Sequence, residues 1–233
     1  MSSRQPPVQQ PPPVQKLRLR YAKRGPARFT SHRDFGRALE RALRRADIPM
    51  AYSSGFNPHP RISYASPSPT SASSEAEYVE LGLSEPCAPA KVVAALNEVL
   101  PTGFEMLDAA DAVPASLGEL LQASDWEIRL VGADPAVVRE AVVELLNRDE
   151  LTVERMTKRG LRTFNVRAAI LALAVTTEGE LRLRSLIETP LVRPDDVVTA
   201  LRIIDERVPT EMLLNRLSQG PLVDGDIGDP LRP

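Results

Sequence analysis

The chain has 233 residues, 42% of them hydrophobic and 26% charged, with a formal charge of −2, so one large domain or two small ones can each hold an apolar core. Aromatic residues make up only 4%, which argues against a platform that reads single-stranded bases by stacking. No apolar run is long enough to predict a transmembrane helix, and the single cysteine, Cys87, excludes an internal disulfide and any CxxC metal site.

The near-neutral total hides a steep split. Residues 1–61 hold 13 Lys and Arg against 3 Asp and Glu, a charge of +10, so residues 62–233 carry −12. Such asymmetry points to an anionic partner for the first part. The N-terminus lacks the charged start and apolar core of a signal peptide. With two histidines far from paired carboxylates, the expectation is a cytoplasmic protein with no metal and no cofactor.

Residues 1–15 are rich in Pro and Gln and read as a disordered tail. Residues 16–22 alternate, with Leu17, Leu19 and Tyr21 on one face and Lys16, Arg18 and Arg20 on the other, the period of a half-buried strand. A loop follows with Lys23, Arg24 and Arg28 around Gly25 and Pro26. Ser31, with Asp34 three residues on, opens a helix whose apolar stripe is Phe35, Leu39, Ala42, Leu43 and Ala46. Arg33, Arg37, Arg41 and Arg44 line its opposite face, Arg45 lies at the rim, and Glu40 is spaced to pair with Arg37 and Arg44.

Pro49 closes the helix. In the loop at 52–61, YSSGFNPHPR, Gly55 permits positive φ, and Pro58 and Pro60 stiffen the chain on either side of His59. Strands at 62–65 and 75–83, a helix at 90–100 and a strand at 103–109 complete a β-α-β-β-α-β order, the split βαβ of a ferredoxin-like domain. After a linker, strands at 126–130, 151–157, 162–176 and 181–187 alternate with helices at 135–147 and 195–208, and a short element follows at 211–217. The expected fold class is therefore α+β, two tandem ferredoxin-like units. The domains run 16–110 (basic) and 124–219, joined by a linker at 111–123, with a flexible tail at 220–233.

For function, Arg18, Arg20, Lys23, Arg24, Arg28, Arg33, Arg37, Arg41, Arg44 and Arg61 can neutralise phosphates, aided by the helix start at Ser31 and by Asn57 and His59 in the loop. In the second unit, Arg155, Lys158, Arg159, Arg162 and Arg167 form a basic hairpin tip, from which Lys158 and Arg159 are assigned to the same nucleic-acid surface. RNA is preferred to DNA on fold analogy alone. A second reading is metal-independent RNA cleavage, with His32 and His59 as acid and base beside Ser31, Tyr52 and Arg61. A third is a scaffold whose basic face docks on an acidic protein.

The segments RYAKRG (20–25), FTSHRDFGRALERALRRA (29–46), YSSGFNPHPRISYASP (52–67) and SEAEYVELGL (74–83) together resemble a bacterial family found beside, or fused to, radical SAM proteins. The resemblance covers the first domain. It implies no activity, but it implies RNA metabolism by association, with a radical SAM protein or an RNase E/G-type ribonuclease as partner. The chain departs from that family at Ser66-Pro67-Ser68-Pro69-Thr70, where related members carry a Pro-Leu-Pro run followed by glycine. A radical SAM cluster needs three close cysteines, so with Cys87 alone the cluster would belong to the partner.

Overall fold

The computed structural model describes residues 9–157 and 160–233; the expectations for residues 1–8, Lys158 and Arg159 lie outside the described residues. The chain divides into two units. One comprises the residues up to Thr70, Ala76–Gly118 and Leu231–Pro233; the other comprises Ser71–Glu75 and Glu119–Pro230. The class is α+β.

In the first unit, β1 (Gln15–Lys23), α1 (His32–Arg45), β2 (Ile62–Ala65), β3 (Ser73–Leu83, of which all but its first three residues belong here), α2 (Pro89–Asn97) and β4 (Phe104–Asp111) follow in order. The strands lie in the order β4-β1-β3-β2. β1 runs antiparallel to β4, with Leu17 opposite Asp111 and Tyr21 opposite Met106, and β2 runs antiparallel to β3, with Tyr64 opposite Val79.

Local chemistry explains α1. The Ser31 side chain accepts from the Asp34 amide at 3.2 Å, satisfying one of the orphan donors of the first turn. Phe35, Ala38, Leu39, Ala42 and Leu43 recur at helical spacing and are buried. They pack with Leu17, Leu19 and Tyr21 of β1, Val79 and Leu81 of β3, and Val92 and Leu96 of α2. Burying each large apolar side chain contributes about 1.5–3 kcal/mol. Tyr21 stacks on Phe35 at 4.3 Å, and Phe35 meets Phe104 at 4.9 Å. After the helix the chain turns through Asp47 at φ +51°, then reaches Pro49.

The second unit contains α3 (Leu117–Leu120, which straddles the division), β5 (Ala123–Leu130), α4 (Pro135–Leu146), β6 (Thr152–Thr157), β7 (Gly160–Asn165), α5 (Val166–Ala169), β8 (Ile170–Val175), β9 (Leu181–Leu186), α6 (Pro194–Ile204), β10 (Met212–Gly220), β11 (Leu222–Val223) and β12 (Asp226–Ile227). Its sheet has the order β10-β5-β9-β8, antiparallel throughout. Ser73 and Ser74 add a parallel pairing against Asn215 and Arg216, so the sheet is mixed. α4 and α6 bury Val138, Val142, Leu145, Val197 and Leu201 against Trp126, Ile128, Leu181 and Leu183.

Several expectations are corrected. The strand expected over 162–176 is two strands separated by α5, whose cap is the Asn165 side chain accepting from the Ala168 amide at 3.2 Å. Part of the tail expected at 1–15 is tied down: the Val14 amide donates to the Leu83 carbonyl at 2.8 Å, and the Gln10 amide to Ser54 Oγ at 2.8 Å. The linker expected at 111–123 buries Leu117, Leu120 and Leu121. The tail expected at 220–233 forms the β11–β12 hairpin and ends with Leu231 buried and Arg232 paired to Asp108 at 2.7 Å. In the last two differences, Leu117, Leu120, Leu121 and Leu231 are apolar residues in polar company, and each is buried where local composition did not announce it.

Candidate nucleic-acid interface

α1 presents an exposed cationic face in the first unit. Arg33, Arg37, Arg41, Arg44 and Arg45 are all exposed, while the opposite stripe is anchored in the core. Arg37 lies 3.6 Å from Asp34 and Arg44 lies 3.5 Å from Glu40. Exposed pairs of this kind hold at most about 1 kcal/mol, so an incoming polyanion can displace them. Among the described residues, Arg33, Arg41 and Arg45 make no ion pair.

β1 departs from expectation. Its charged face is open to solvent only at Lys16, and the arginines beyond it are partly or wholly covered. Arg18 is 2% exposed, its Nε donates to Glu80 Oε2 at 3.0 Å, and its Nη2 donates to the carbonyls of Val113, at 3.1 Å, and of Ala115. These charge-assisted bonds offset the desolvation of the guanidinium. Lys23 is also buried, with Nζ donating to the Pro69 carbonyl at 3.2 Å. Arg20 is half-buried near Asp108. Arg24 pairs with Glu105, and Arg28 lies over the Phe29 ring at 4.7 Å. Arg18 and Lys23 therefore act within the fold rather than at its surface.

The 52–61 loop is held like a small hairpin. Tyr52 bridges Pro60, the Ser53 amide donates to the His59 carbonyl at 2.8 Å, and the His59 amide donates to Ser53 Oγ at 3.0 Å. Arg61 Nε donates to the Tyr52 carbonyl at 3.1 Å. Gly55 makes the turn at φ +127°. Phe56, Asn57, Pro58, His59 and Arg61 are exposed around it.

β2 links this loop to α1 through Tyr64, whose ring meets His32 edge-on at 4.6 Å and Phe35 at 6.2 Å. Gly36 leaves room for the phenol: a Cβ there would lie 3.3 Å from Tyr64 Oη. Burial, then the Glu40 charge, pushes the Tyr64 pKa up to about 12. His32 is thus a neighbour of Tyr64, and His59 belongs to the loop. Among the described residues the two histidine rings make no contact with each other. The loop at 66–70 is also fixed, by the Ser68 amide donating to Glu77 Oε2 at 3.0 Å and by the Lys23 bond to Pro69.

In the second unit, Arg155 pairs with the buried Asp196, donates to the Leu191 carbonyl at 3.1 Å and lies over the Phe164 ring at 4.1 Å. Burial raises the Asp196 pKa, partly countered by the hydrogen bond from the Arg193 amide. Arg162 is exposed opposite Arg155 in the β6–β7 register. Arg155, Arg162 and Arg193 line a cleft of about 460 Å³ floored by Phe164 and Leu191. Arg167 reaches back to the Ile170 carbonyl at 3.5 Å, and Lys158 and Arg159 lie outside the described residues.

Sequence reasoning missed the buried Arg216, which lies over Trp126 at 5.3 Å and donates to Ser74 Oγ at 3.3 Å; an arginine in a half-apolar strand gives no signal of that. It also missed the exposure of Phe29 and Phe56. Among the described residues, no group of three or more His, Cys, Asp or Glu could hold a metal, and no helix is long and apolar enough to cross a membrane.

A family model described as "Uncharacterized protein conserved in bacteria (DUF2344)" matches residues 16–197. Comparison with the curated proteins found no match. Among solved structures, the chain is similar to one described as "Crystal structure of putative glycine cleavage system transcriptional repressor", with 7% identity over 87% of this chain and 96% of that one. The TM-score is 0.22.

Proposed function

The chain belongs to the DUF2344 family of proteins conserved in bacteria, and for it we propose a role in binding RNA, as an accessory in RNA processing or modification. The observation that carries this reading is the arginine face of α1. Five exposed guanidinia share one helix face with Asp34 and Glu40 as the only acids of that helix, on a scaffold whose other face is locked into a core. A helix backbone fixed in this way presents its cations to phosphates with little backbone rearrangement to oppose the counterion release that drives the association.

The remaining parts of the reading follow in order of support. Each unit is read as ferredoxin-like, because the strand orders β4-β1-β3-β2 and β10-β5-β9-β8 both place the first and third strands of a β-α-β-β-α-β run at the centre. The working compartment is the cytoplasm. The partner is a radical SAM protein or an RNase E/G-type ribonuclease, which supplies the chemistry while this chain holds the substrate. Catalysis by His32 and His59 gains no support, since His32 is occupied with Tyr64 and the loop carries His59 separately.

The test is a filter-binding salt titration of the full chain with RNA, beside an Arg37→Glu, Arg41→Glu, Arg44→Glu triple variant. Tight binding with a slope of about −0.7 per phosphate, lost in the variant, is the expected result. Weak binding that is equal in both proteins overturns it and directs attention to an acidic protein partner.

A further inference from the structure

The chain has ten aromatic residues. Tyr21, Phe35, Tyr78, Trp126 and Phe164 are buried, and Tyr64 and Phe104 are half-buried. The three exposed rings are Phe29 at 59%, Tyr52 at 39% and Phe56 at 65%. All three fall in the segment that carries the +10 charge. A single exposed apolar residue means little. The concentration of every exposed ring among the arginines is a different observation.

The rings also have a common setting. Phe29 lies just before Ser31, the cap of α1, so it stands at the start of the arginine face, with the Arg28 guanidinium over its ring at 4.7 Å. Tyr52 and Phe56 belong to the rigid loop. Tyr64 ties the two places together: it touches His32 at the helix start, and four residues before it Pro60 bridges Tyr52. At the rise of an extended strand those four residues span about 13 Å. The helix start and the loop are therefore the two ends of one short rim along β2, the edge strand of the first unit's sheet.

We propose that this rim binds unpaired RNA, with bases stacking on Phe29 and Phe56 while Arg33, Arg41 and Arg61 hold the phosphates. A base within a duplex has both faces covered by its neighbours, so an exposed phenylalanine can engage only a base that is unstacked. Stacking on a ring is tolerant of sequence, because every base has a π-face. The low aromatic content argued against a stacking platform, and the placement of the exposed rings overrides that expectation, since two or three rings in the right place suffice. The inference rests on the RNA-binding reading and specifies the class of RNA.

The experiment compares two RNAs with equal numbers of phosphates, an unstructured oligonucleotide and a blunt duplex. They are titrated with wild-type full chain, a Phe29→Leu, Phe56→Leu double variant, and Arg41→Ala. Leucine keeps apolar bulk at two exposed positions, so the variant folds, which circular dichroism checks. The wild type is expected to prefer the unstructured RNA. The double variant is expected to lose about tenfold or more per ring on that RNA, with the salt slope and the duplex affinity unchanged. Arg41→Ala is expected to weaken both RNAs alike and to reduce the slope by about 0.7. Equal salt-sensitive binding of both RNAs by the wild type, or undiminished binding of unstructured RNA by the double variant, overturns the stacking and leaves RNA binding standing. Failure to bind either RNA overturns both.

Discussion

Arg18 donates to Glu80 across 3.0 Å with its own side chain 2% exposed and that of Glu80 14% exposed. A residue that looks like a surface phosphate ligand is thereby part of the interior. Its partner, Glu80, is also held by Lys16 at 3.0 Å. Burial pushes the Glu80 carboxyl up, but the hydrogen bonds and charges of Lys16 and Arg18 together outweigh it and leave the pKa below the ordinary glutamate value. A carboxylate with a lowered folded pKa stabilises the native state above its unfolded pKa, and that stabilisation is lost as the pH falls through the folded value. Urea denaturation should therefore give a midpoint that drops on acidification below about pH 4.5, more steeply in the wild type than in Glu80→Gln. At neutral pH, Glu80→Ala should cost about 3–5 kcal/mol, because it strands a buried guanidinium.

Tyr64 gives the opposite pH dependence. Its phenol titrates at about 12 rather than at the ordinary 10.0. Between those values the unfolded chain has lost the proton and the folded chain has kept it, so stability falls as the pH rises through that window. Replacing Tyr64 with Phe should remove this alkaline loss, and spectrophotometric titration of the two proteins should differ by one late-ionising tyrosine.

Gly103 is required by its neighbours. It sits at φ +93°, and a Cβ there would lie 2.7 Å from the Ala27 Cβ and 2.8 Å from the Arg24 carbonyl. Gly103→Ala should destabilise the first unit by about 1–3 kcal/mol from the backbone alone, with the clash added to that. Because Ala27 and Arg24 lead into the turn before α1, the variant should also weaken RNA binding, measured in the same salt titration.

The buried and the exposed arginines should separate cleanly in assays. Arg33→Ala and Arg41→Ala should leave the unfolding free energy within about 0.5 kcal/mol of wild type and lower RNA affinity. Arg18→Ala should do the reverse: a large loss of stability, since Glu80 then loses one of its two cationic partners and the carbonyls of Val113 and Ala115 lose their donor, and no change in the salt slope of whatever protein remains folded.

Local pattern was enough for much of this. The Ser31 cap and the spacing of Phe35, Leu39 and Leu43 made α1 and its arginine face legible, because a capped start and one apolar stripe fix which side of a helix enters the core. The alternation of Leu17, Leu19 and Tyr21 announced β1 in the same way. What alternation could not announce was whether the second face of that strand would meet water. Arg18 is buried because the carbonyls of Val113 and Ala115, distant in sequence, and the carboxylate of Glu80 on β3 converge on it, and Leu231 finds a core although it lies in a stretch of Gly, Asp and Pro. Periodicity reports which residues share a face; only the chain's return from far along the sequence decides what covers that face, and so which of its charges remain free to act.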